Sequence, residues 1–252
     1  MVSKCCPEIG LKLYLEASMT ADNFWVALST QDATSKTDYA PITYELLSQA
    51  YTLYEEVVVA DPKAQQRCIV QMVGVVQVLA SLSETDYESI ITKTAQFSAK
   101  ALKKEEQCHL VGLCAHLFYP TRPTDSGRPV GPNYRNPQRA LECLQRSLKL
   151  ADACTTASAV HIALFVDLLE HYVHFFEWEN PVITAAYVTG LVALIKQHLA
   201  NSTAAAIDDT AVAVREANSQ FLEVVRYVEQ KKTFPETKEH FAGVVIPEDL
   251  AT

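Results

Sequence analysis

Residues 108–119 read CHLVGLCAHLFY, and the loop 120–136, PTRPTDSGRPVGPNYRN, connects them to PQRALECLQRSLKLAD at 137–152. The apolar residues of the first segment recur three and four positions apart, which is typical of an amphipathic helix. The stripe assigned to the core consists of Leu110, Leu113, Cys114 and Leu117. The proline- and glycine-rich loop predicts a long surface connection. A helix, a loop and a second helix are therefore expected here.

Helix starts are marked elsewhere in the chain as well. Asp61-Pro62, Asn136-Pro137 and Asn180-Pro181 each place a capping side chain before a proline, which is tolerated in the first turn. Ser83 with Asp86 three residues later resembles a capping box. These signals predict a short helix at 22–29 and nine longer helices, at 7–19, 41–60, 62–82, 84–102, 105–119, 137–153, 157–178, 181–200 and 208–231.

The short connections predict antiparallel neighbours, and hence helical hairpins of about 40 residues, the size of a HEAT or armadillo-type repeat. No repeated signature is visible, so a closed bundle is the alternative, but nine helices in a row stack more easily than they close. The expected fold is all-α: a right-handed α-solenoid of antiparallel, HEAT-like hairpins. A single solenoid domain is predicted over 1–231 and a tail over 232–252, whose apolar patch 241–246 should dock.

Composition limits the class of partner and the compartment. The formal net charge of −9 argues against nucleic acid, because phosphate binding needs a concentrated basic surface. The seven cysteines are odd in number, most lie in apolar helical runs, and no secretory signal is recognisable. Reduced thiols in a cytoplasmic protein are expected. The uncharged runs 68–83 and 180–195 are shorter than the roughly 20 residues that span a bilayer, so both are interpreted as buried helices.

Candidate chemistry is sparse. Cys108, His109, Cys114 and His116 suggest a metal site, but their spacing does not bring four ligands to one helix face, so no metal is expected. His171 and His174, near Asp167 and Glu170, are the only catalytic candidates, and they define the alternative function, a helical hydrolase or transferase. No nucleophile or oxyanion-forming glycine loop accompanies them. The expectation is a protein without catalytic residues or cofactor.

A second stripe on the helix 105–119 contains His109, Gly112, His116 and Tyr119, offset by about one residue of helical rotation from the core stripe. Gly112 costs about 1 kcal/mol of helix propensity relative to alanine, which suggests a close approach of another backbone. Two interpretations stay open: a partner surface, or packing on the next repeat. The adjacent loop, with Arg122, Arg128, Tyr134 and Arg135, favours a partner surface, because Tyr and Arg are preferred interface anchors.

Two charged clusters suggest a second surface. The acidic cluster comprises Glu55, Glu56 and Asp61; the basic cluster comprises Lys100, Lys103 and Lys104, expected on one face at the end of helix 84–102. As a hypothesis, the two clusters could meet across a two-fold axis and form a homodimer. The alternative is a pair of solvated turns, with the lysines favouring the helix dipole.

Several motifs together resemble one family. They are ITYELLSQAYTLYEE (42–56), DPKAQ (61–65), CAHLF (114–118), RALECLQRSLKLAD (139–152) and FVDLLEHYVHFFEWEN (165–180). In this order they are similar to the C-terminal part of the large α-solenoid subunit of retromer, the vacuolar protein sorting thirty-five family. The similarity covers 11–200, continues weakly through 208–231 and recurs in FAGVVI at 241–246. The loop 120–135 and the segment 30–40 differ from the family pattern.

The resemblance implies a non-enzymatic scaffold that binds the metallophosphoesterase-fold subunit of retromer and supports a coat for retrograde transport from endosomes. It implies a cytoplasmic protein, peripheral on endosomal membranes, whose membrane association is indirect. The partner-binding residues expected for the small subunit are His109, Gly112, His116, Phe118, Tyr119, Arg122 and Tyr134. Self-association at the apex of the family's arch is expected to use Glu55, Glu56, Asp61, Lys100, Lys103 and Lys104. The family's N-terminal portion, with its own partners, has no counterpart here.

Overall fold

A computed structural model describes residues 6–29, 38–121, 134–203 and 209–250. Over these ranges it contains ten α-helices, three 3-10 turns and no strand. The 3-10 turns are Val58–Ala60, Ala159–Ile162 and Glu248–Leu250. The helices are α1 (Pro7–Ser29), α2 (Ala40–Glu56), α3 (Pro62–Val76), α4 (Glu84–Ser98), α5 (Lys104–Phe118), α6 (Pro137–Ala157), α7 (Ala163–Glu177), α8 (Ala185–Thr203), α9 (Asp209–Thr233) and α10 (Lys238–Phe241).

Side-chain caps account for two of the predicted helix starts. Oδ1 of Asp61 accepts a 3.0 Å hydrogen bond from the backbone N–H of Lys63 at the start of α3. Ser83 accepts from the N–H of Asp86 at 3.1 Å and donates to its carboxylate at 2.6 Å, which opens α4. Both side chains satisfy backbone donors that a first turn leaves unpaired.

The predicted start of α8 is wrong. Pro181 does not open α8, because Asn180 closes a turn instead of capping a helix. Its Oδ1 accepts from the N–H of Val182 at 3.1 Å, and its carbonyl accepts from the N–H of Ile183 at 3.1 Å. The helix therefore begins only at Ala185. This Asx-type turn uses the same residue pair that marks a helix start elsewhere in the chain.

Other boundaries also differ from the predictions. The helix predicted at 41–60 ends at Glu56, the one predicted at 62–82 ends at Val76, and the one predicted at 157–178 begins only at Ala163. The segments 7–19 and 22–29 form the single helix α1, because the buried carboxylate of Asp22 accepts from the N–H groups of Ala80 and Ser81, at 2.8 and 2.7 Å, and does not start a new helix. The helix predicted at 84–102 ends at Ser98, where bonds such as Lys100 N–H to Phe97 C=O tighten the chain into a turn.

Two compact units make up the chain: one contains residues up to Leu102 together with Leu113–Asn136, and the other contains Lys103–Gly112 together with residues from Pro137 onward. In the first unit α1 runs parallel to α3, since Glu8 pairs with Arg67 and Asp22 with Ala80. In the same unit α2 runs parallel to α4, since the Tyr51 hydroxyl bonds to that of Thr94 and the ring of Tyr54 contacts Phe97. In this unit α1 and α2 therefore each run parallel to the helix two places further along the chain.

The second unit repeats this relationship. The start of α7 meets the end of α8, with the rings of Phe165 and His198 stacked at 4.9 Å, so these neighbours are antiparallel. The end of α7 meets the end of α9 through Glu177 and Lys231, so these two are parallel. Within each unit consecutive helices therefore form hairpins that stack, and the prediction of an all-α, solenoid-type fold is confirmed. A single domain over 1–231 stays a prediction.

The chain after α9 packs on the second unit. Phe241 is fully buried, with its ring edge-on to Phe176 at a centroid distance of 5.0 Å. Val244 is also buried, and the N–H of Val245 donates to the Thr189 hydroxyl at 3.0 Å. The patch 241–246 therefore contacts α7 and α8.

One segment in the described part of the chain is long and apolar enough to cross a membrane, Ala159–Glu177, with a mean hydropathy of 1.3. Half of it is buried within the fold, where it includes α7. Its apolar character is therefore accounted for by core packing in the second unit. Neither of the uncharged runs noted in the sequence meets the same criteria.

Candidate partner-binding surface

Helix α5 carries the stripe expected to meet a partner. Leu110, Cys114 and Leu117 are fully buried, as predicted for the core side, whereas Leu113 is only half-buried. On the other stripe His109 is exposed and His116 is half-buried. The remaining members of that stripe, Gly112 and Tyr119, are covered by the chain itself.

Gly112 is buried against the second unit's own helices. A Cβ built on it would lie 3.5 Å from Cδ2 of His171 on α7 and 3.5 Å from Oγ of Ser147 on α6. One turn earlier, Ser147 donates to the carbonyl of Cys108 at 2.9 Å, which holds α5 and α6 together. Gly112 therefore packs on neighbouring helices of the same chain, which is the second of the two interpretations of this stripe. The atoms nearest to it belong to side chains at ordinary contact distances, so the expected close approach of another backbone is wrong.

Phe118, Tyr119 and Tyr134 lie at the end of α5 and after the loop, and all three are buried. The Tyr134 hydroxyl donates to Glu88 at 3.0 Å, and the guanidinium of Arg135 lies 5.1 Å from the centre of the Tyr119 ring. These contacts fix the chain where it re-enters the fold, so the three aromatic side chains offer no open surface. Arg122 lies outside the described residues.

An open cleft of about 350 Å³ lies between α7 and α9 in the second unit. Its floor is apolar, formed by Val173 and Val224. Its walls carry three carboxylates, one imidazole and one phenol, and the full lining is Glu170, Val173, His174, Glu177, Glu223, Val224 and Tyr227. Because α7 and α9 are parallel, residues about 50 positions apart meet across it.

One of the three carboxylates is compensated within the cleft. Glu177 accepts hydrogen bonds from the Tyr227 hydroxyl, at 2.6 Å, and from the Lys231 ammonium. Burial acts to raise the pKa of Glu177, but these two donors bring it below its ordinary value. The same contact raises the pKa of Lys231. Glu177 is therefore an ionised and satisfied group.

The other two carboxylates have no hydrogen-bond or ion-pair partner among the described residues. Burial raises the pKa of Glu170, and the nearby charges of Asp167 and Glu223 add to the effect. Glu223, on α9, is exposed. Two uncompensated carboxylates facing each other over an apolar floor are suited to a basic side chain with an aliphatic stem.

The histidines beside the cleft do not form a catalytic pair. Burial, with the charges of His109 and His174, lowers the pKa of His171 to about 4, so its imidazole is neutral at pH 7. The cavity beside it, also bordered by Cys108 and Asp167, measures only about 10 Å³, which is room for a single water at most. Burial also lowers the pKa of His174. No serine, threonine or cysteine lines the larger cleft.

The two cysteines among the suggested metal ligands each make a hydrogen bond to a different residue. Cys108 donates to the carbonyl of Ser147 at 3.2 Å, whereas Cys114 lies 3.1 Å from the Ser98 hydroxyl. Burial raises the pKa of Cys108 to about 12, which keeps the thiol protonated. No group of three or more His, Cys, Asp or Glu residues in the described ranges could hold a metal ion.

The charged clusters are only partly free. Glu55 pairs with Lys93 at 3.7 Å, and Asp61 caps α3. Lys103 pairs with Glu106 at 3.3 Å. The prediction that the three lysines share one helix face is wrong, because α4 ends at Ser98 and Lys104 is the first residue of α5. Glu56, Lys100 and Lys104 are exposed.

Sequence reasoning missed Glu223, Tyr227 and Lys231. They lie on α9, far along the chain from α7, and none belongs to a recognisable motif. The only available signal was the order of the helices, because a hairpin stack places every second helix side by side. Without the register between α7 and α9, however, no particular residue of α9 could be paired with Glu177.

Comparison with known proteins gives a consistent family. The family model described as Vacuolar protein sorting-associated protein 35 matches residues 1–198. Curated proteins of that name from Schizosaccharomyces pombe and, as form 35B, from Arabidopsis thaliana are each 33% identical to the chain, over 192 and 205 residues. These alignments cover 76% and 79% of the chain. A Dictyostelium discoideum relative is 24% identical over 189 residues. The chain spans about a fifth of the length of these relatives, between 21% and 23%.

Proposed function

This chain belongs to the Vacuolar protein sorting-associated protein 35 family, and on that premise we propose that it is a non-enzymatic scaffold of the retromer cargo-recognition complex. It binds the metallophosphoesterase-fold subunit and supports coat assembly for retrograde transport from endosomes. Its association with the membrane is peripheral and indirect, through the assembled complex. The relatives are named for protein sorting and not for a reaction, which favours a role without catalysis.

The observation that supports a binding surface is the cleft between α7 and α9. Glu170 and Glu223 face each other there without a cationic partner in the described chain, above the apolar floor of Val173 and Val224. Exposed His109 lies on α5, the next parallel helix, beside Asp167. Charged and apolar groups that the fold leaves unsatisfied on neighbouring parallel helices are what a protein partner would cover.

The partner surface is therefore the exposed side of α5, α7 and α9 in the second unit, with His109 at one edge and the cleft at the other. His116 lies in the first unit and stays a separate prediction. Gly112 lies beneath this surface, buried against His171 of α7 and Ser147 of α6. Homodimerisation through Glu56, Lys100 and Lys104 is a separate proposal.

Calorimetric titration of the chain with the metallophosphoesterase-fold subunit of the same organism tests this function. We expect tight 1:1 binding, weakened at least tenfold by the double variant Glu170→Lys, Glu223→Lys, because like charges would replace a complementary pair. Glu142→Lys on α6 is the matched control, since Glu142 is exposed and lies outside the cleft. Absence of heat with the unmodified chain would contradict the function, and an unchanged affinity in the double variant would contradict the surface.

The alternative of a hydrolase or transferase using His171 or His174 has no observation in its favour. His171 borders a cavity far smaller than any substrate, and its lowered pKa makes it a weak base. His174 faces a larger cleft but has no nucleophile in the lining.

A further inference from the structure

The cleft between α7 and α9 has two ends of different charge. At one end Glu177 accepts from the Tyr227 hydroxyl at 2.6 Å and binds the ammonium of Lys231. Glu170 lies seven residues before Glu177 on α7, about 10 Å along the helix axis. On the parallel helix α9, Glu223 lies eight residues before Lys231. Glu170 and Glu223 therefore form the other end of the cleft.

The chain itself supplies a cation to the first end. The ammonium of Lys231 binds Glu177 and also lies 5.1 Å from the centre of the Tyr227 ring. In the described part of the chain, no lysine or arginine forms an ion pair with Glu170 or Glu223. The cleft is therefore neutralised at one end and carries two uncompensated carboxylates at the other.

The two uncompensated carboxylates are close enough to interact. Burial raises the pKa of Glu170, and the charges of Asp167 and Glu223 raise it further. A cation between the two walls would relieve this repulsion and favour the ionised carboxylates. The floor below them is apolar, formed by Val173 and Val224, so it offers no polar group to either carboxylate. The charge complementary to this end of the cleft is positive.

The size and lining of the cleft select an organic cation. No group of three or more His, Cys, Asp or Glu residues in the described ranges could hold a metal ion. The volume of about 350 Å³ has room for a large side chain, and the apolar floor suits an aliphatic stem. Arginine fits better than lysine, because its planar guanidinium has five donors that can reach both walls at once and is less strongly hydrated than an ammonium.

We propose that the cleft binds the side chain of an arginine presented by a protein partner, with the guanidinium between the carboxylates of Glu170 and Glu223 and the stem on Val173 and Val224. Arginine is one of the residues that most often dominate the binding energy of a protein interface. The proposal rests on the proposed function in one respect: the arginine is assigned to the phosphoesterase-fold subunit, because the cleft belongs to the surface proposed for it.

The test titrates the intact chain with N-acetyl-L-argininamide and follows the methyl resonances of Val173 and Val224. We expect saturable shifts, with a dissociation constant of millimolar order because a single side chain makes few contacts. N-acetyl-L-citrullinamide has the same shape without the charge and should give none. N-acetyl-L-lysinamide should bind several-fold more weakly. Absent shifts with the arginine amide, or equal shifts with either control ligand, would overturn the proposal.

Two variants locate the guanidinium. Glu170→Gln and Glu223→Gln each remove one charge from an exposed position, so the fold should stay intact while the arginine amide binds several-fold more weakly. Glu216→Gln is the matched control, because Glu216 is also exposed on α9 but lies outside the cleft. Unchanged binding in both cleft variants, or equal weakening in the control, would contradict the site.

Competition with the phosphoesterase-fold subunit tests the source of the arginine. Saturation of the chain with the subunit should remove the shifts that the arginine amide causes. Shifts that persist while the subunit is bound would overturn the assignment to this subunit. The two claims fail separately: absence of heat with the subunit contradicts the proposed function, whereas the response to the arginine amide alone supports or overturns the arginine site.

Discussion

Gly112 of α5 lies directly against His171 of α7: a Cβ built on the glycine would stand 3.5 Å from the imidazole Cδ2. That distance is an ordinary van der Waals contact, so the space between α5 and α7 would also accept an alanine at this position. The imidazole on the other side of this contact has a pKa lowered to about 4 by burial and by the neighbouring histidines. The contact therefore joins two parallel helices through a neutral, packed pair.

Replacing Gly112 with alanine should stabilise the protein. The added methyl group fits at 3.5 Å, and alanine is favoured over glycine inside a helix by about 0.5–1 kcal/mol. Urea denaturation should show an increase of that order in the free energy of unfolding. Gly190→Ala, on open surface, should give a similar gain. A loss of more than about 1 kcal/mol in Gly112→Ala alone would show that α5 and α7 are closer than described.

His171 should make the protein less stable in mild acid. Its folded pKa of about 4 lies below its usual value of 6.5, so the unfolded chain binds the proton more readily and stability falls as pH drops from 6.5 toward 4. The contribution between pH 7 and pH 5 is about 2 kcal/mol. Urea denaturation at both pH values measures it.

The control for that effect is His171→Gln, which keeps a polar side chain without titrating in this range. The raised pKa values of Asp167 and Glu170 act in the opposite direction, and both carboxyls are present in the variant too. The loss of stability between pH 7 and pH 5 should therefore be smaller in the variant. Equal losses in the two proteins would mean that His171 is not the responsible group.

The helix boundaries show which parts of the fold could be predicted from the sequence. The caps at Asp61 and Ser83 gave correct starts, because a short polar side chain before a helical run has one dominant use. Asn180-Pro181 gave a wrong one, since the same pair also closes a turn. The break placed near residue 20 was wrong for another reason: Asp22 binds N–H groups 58 and 59 residues away, which no local pattern reveals.

Phe241→Ala should destabilise the protein by about 3–5 kcal/mol. Phe241 is fully buried and contacts the ring of Phe176, so truncation leaves a cavity between the tail and α7. Val245→Ala is the control, because Val245 is 64% exposed and its loss should change stability by less than about 0.5 kcal/mol. Thermal or urea unfolding of both variants measures the difference. Equal, small effects would mean that the tail is not docked.

Self-association should depend on Lys100 and Lys104. Both are exposed, so the double variant Lys100→Glu, Lys104→Glu should shift sedimentation toward the monomer. Adding Glu56→Lys to this double variant should then restore the dimer, because the charge on the acidic side of the contact is reversed as well. Asp61 is unsuitable for this rescue because it caps α3. Arg146→Glu, an exposed change on α6, is the control. An unmodified chain that already sediments as a monomer, or a failed rescue, would contradict the dimer proposal.

The candidate site was predictable only in part. Spacing on α5 correctly separated the core side of Leu110 and Leu117 from the side of exposed His109. It did not show that Tyr119 and Tyr134 are buried, because their cover comes from the chain's return after the loop 120–136 and from Glu88 on α4. The pairing of Glu177 with Lys231 depends on the register of two parallel helices, which helical periodicity leaves undetermined.

Hydrogen–deuterium exchange of the chain, with and without the metallophosphoesterase-fold subunit, shows directly which helices the subunit covers. Binding over the surface of α5, α7 and α9 should slow amide exchange in peptides spanning 104–112, 163–177 and 220–231. Peptides from α6 and α8, on the other layer of the same unit, should change little. We therefore expect protection on α5, α7 and α9 and none on α6 and α8. Protection confined to α6 and α8, or no protection at saturating subunit, would contradict it.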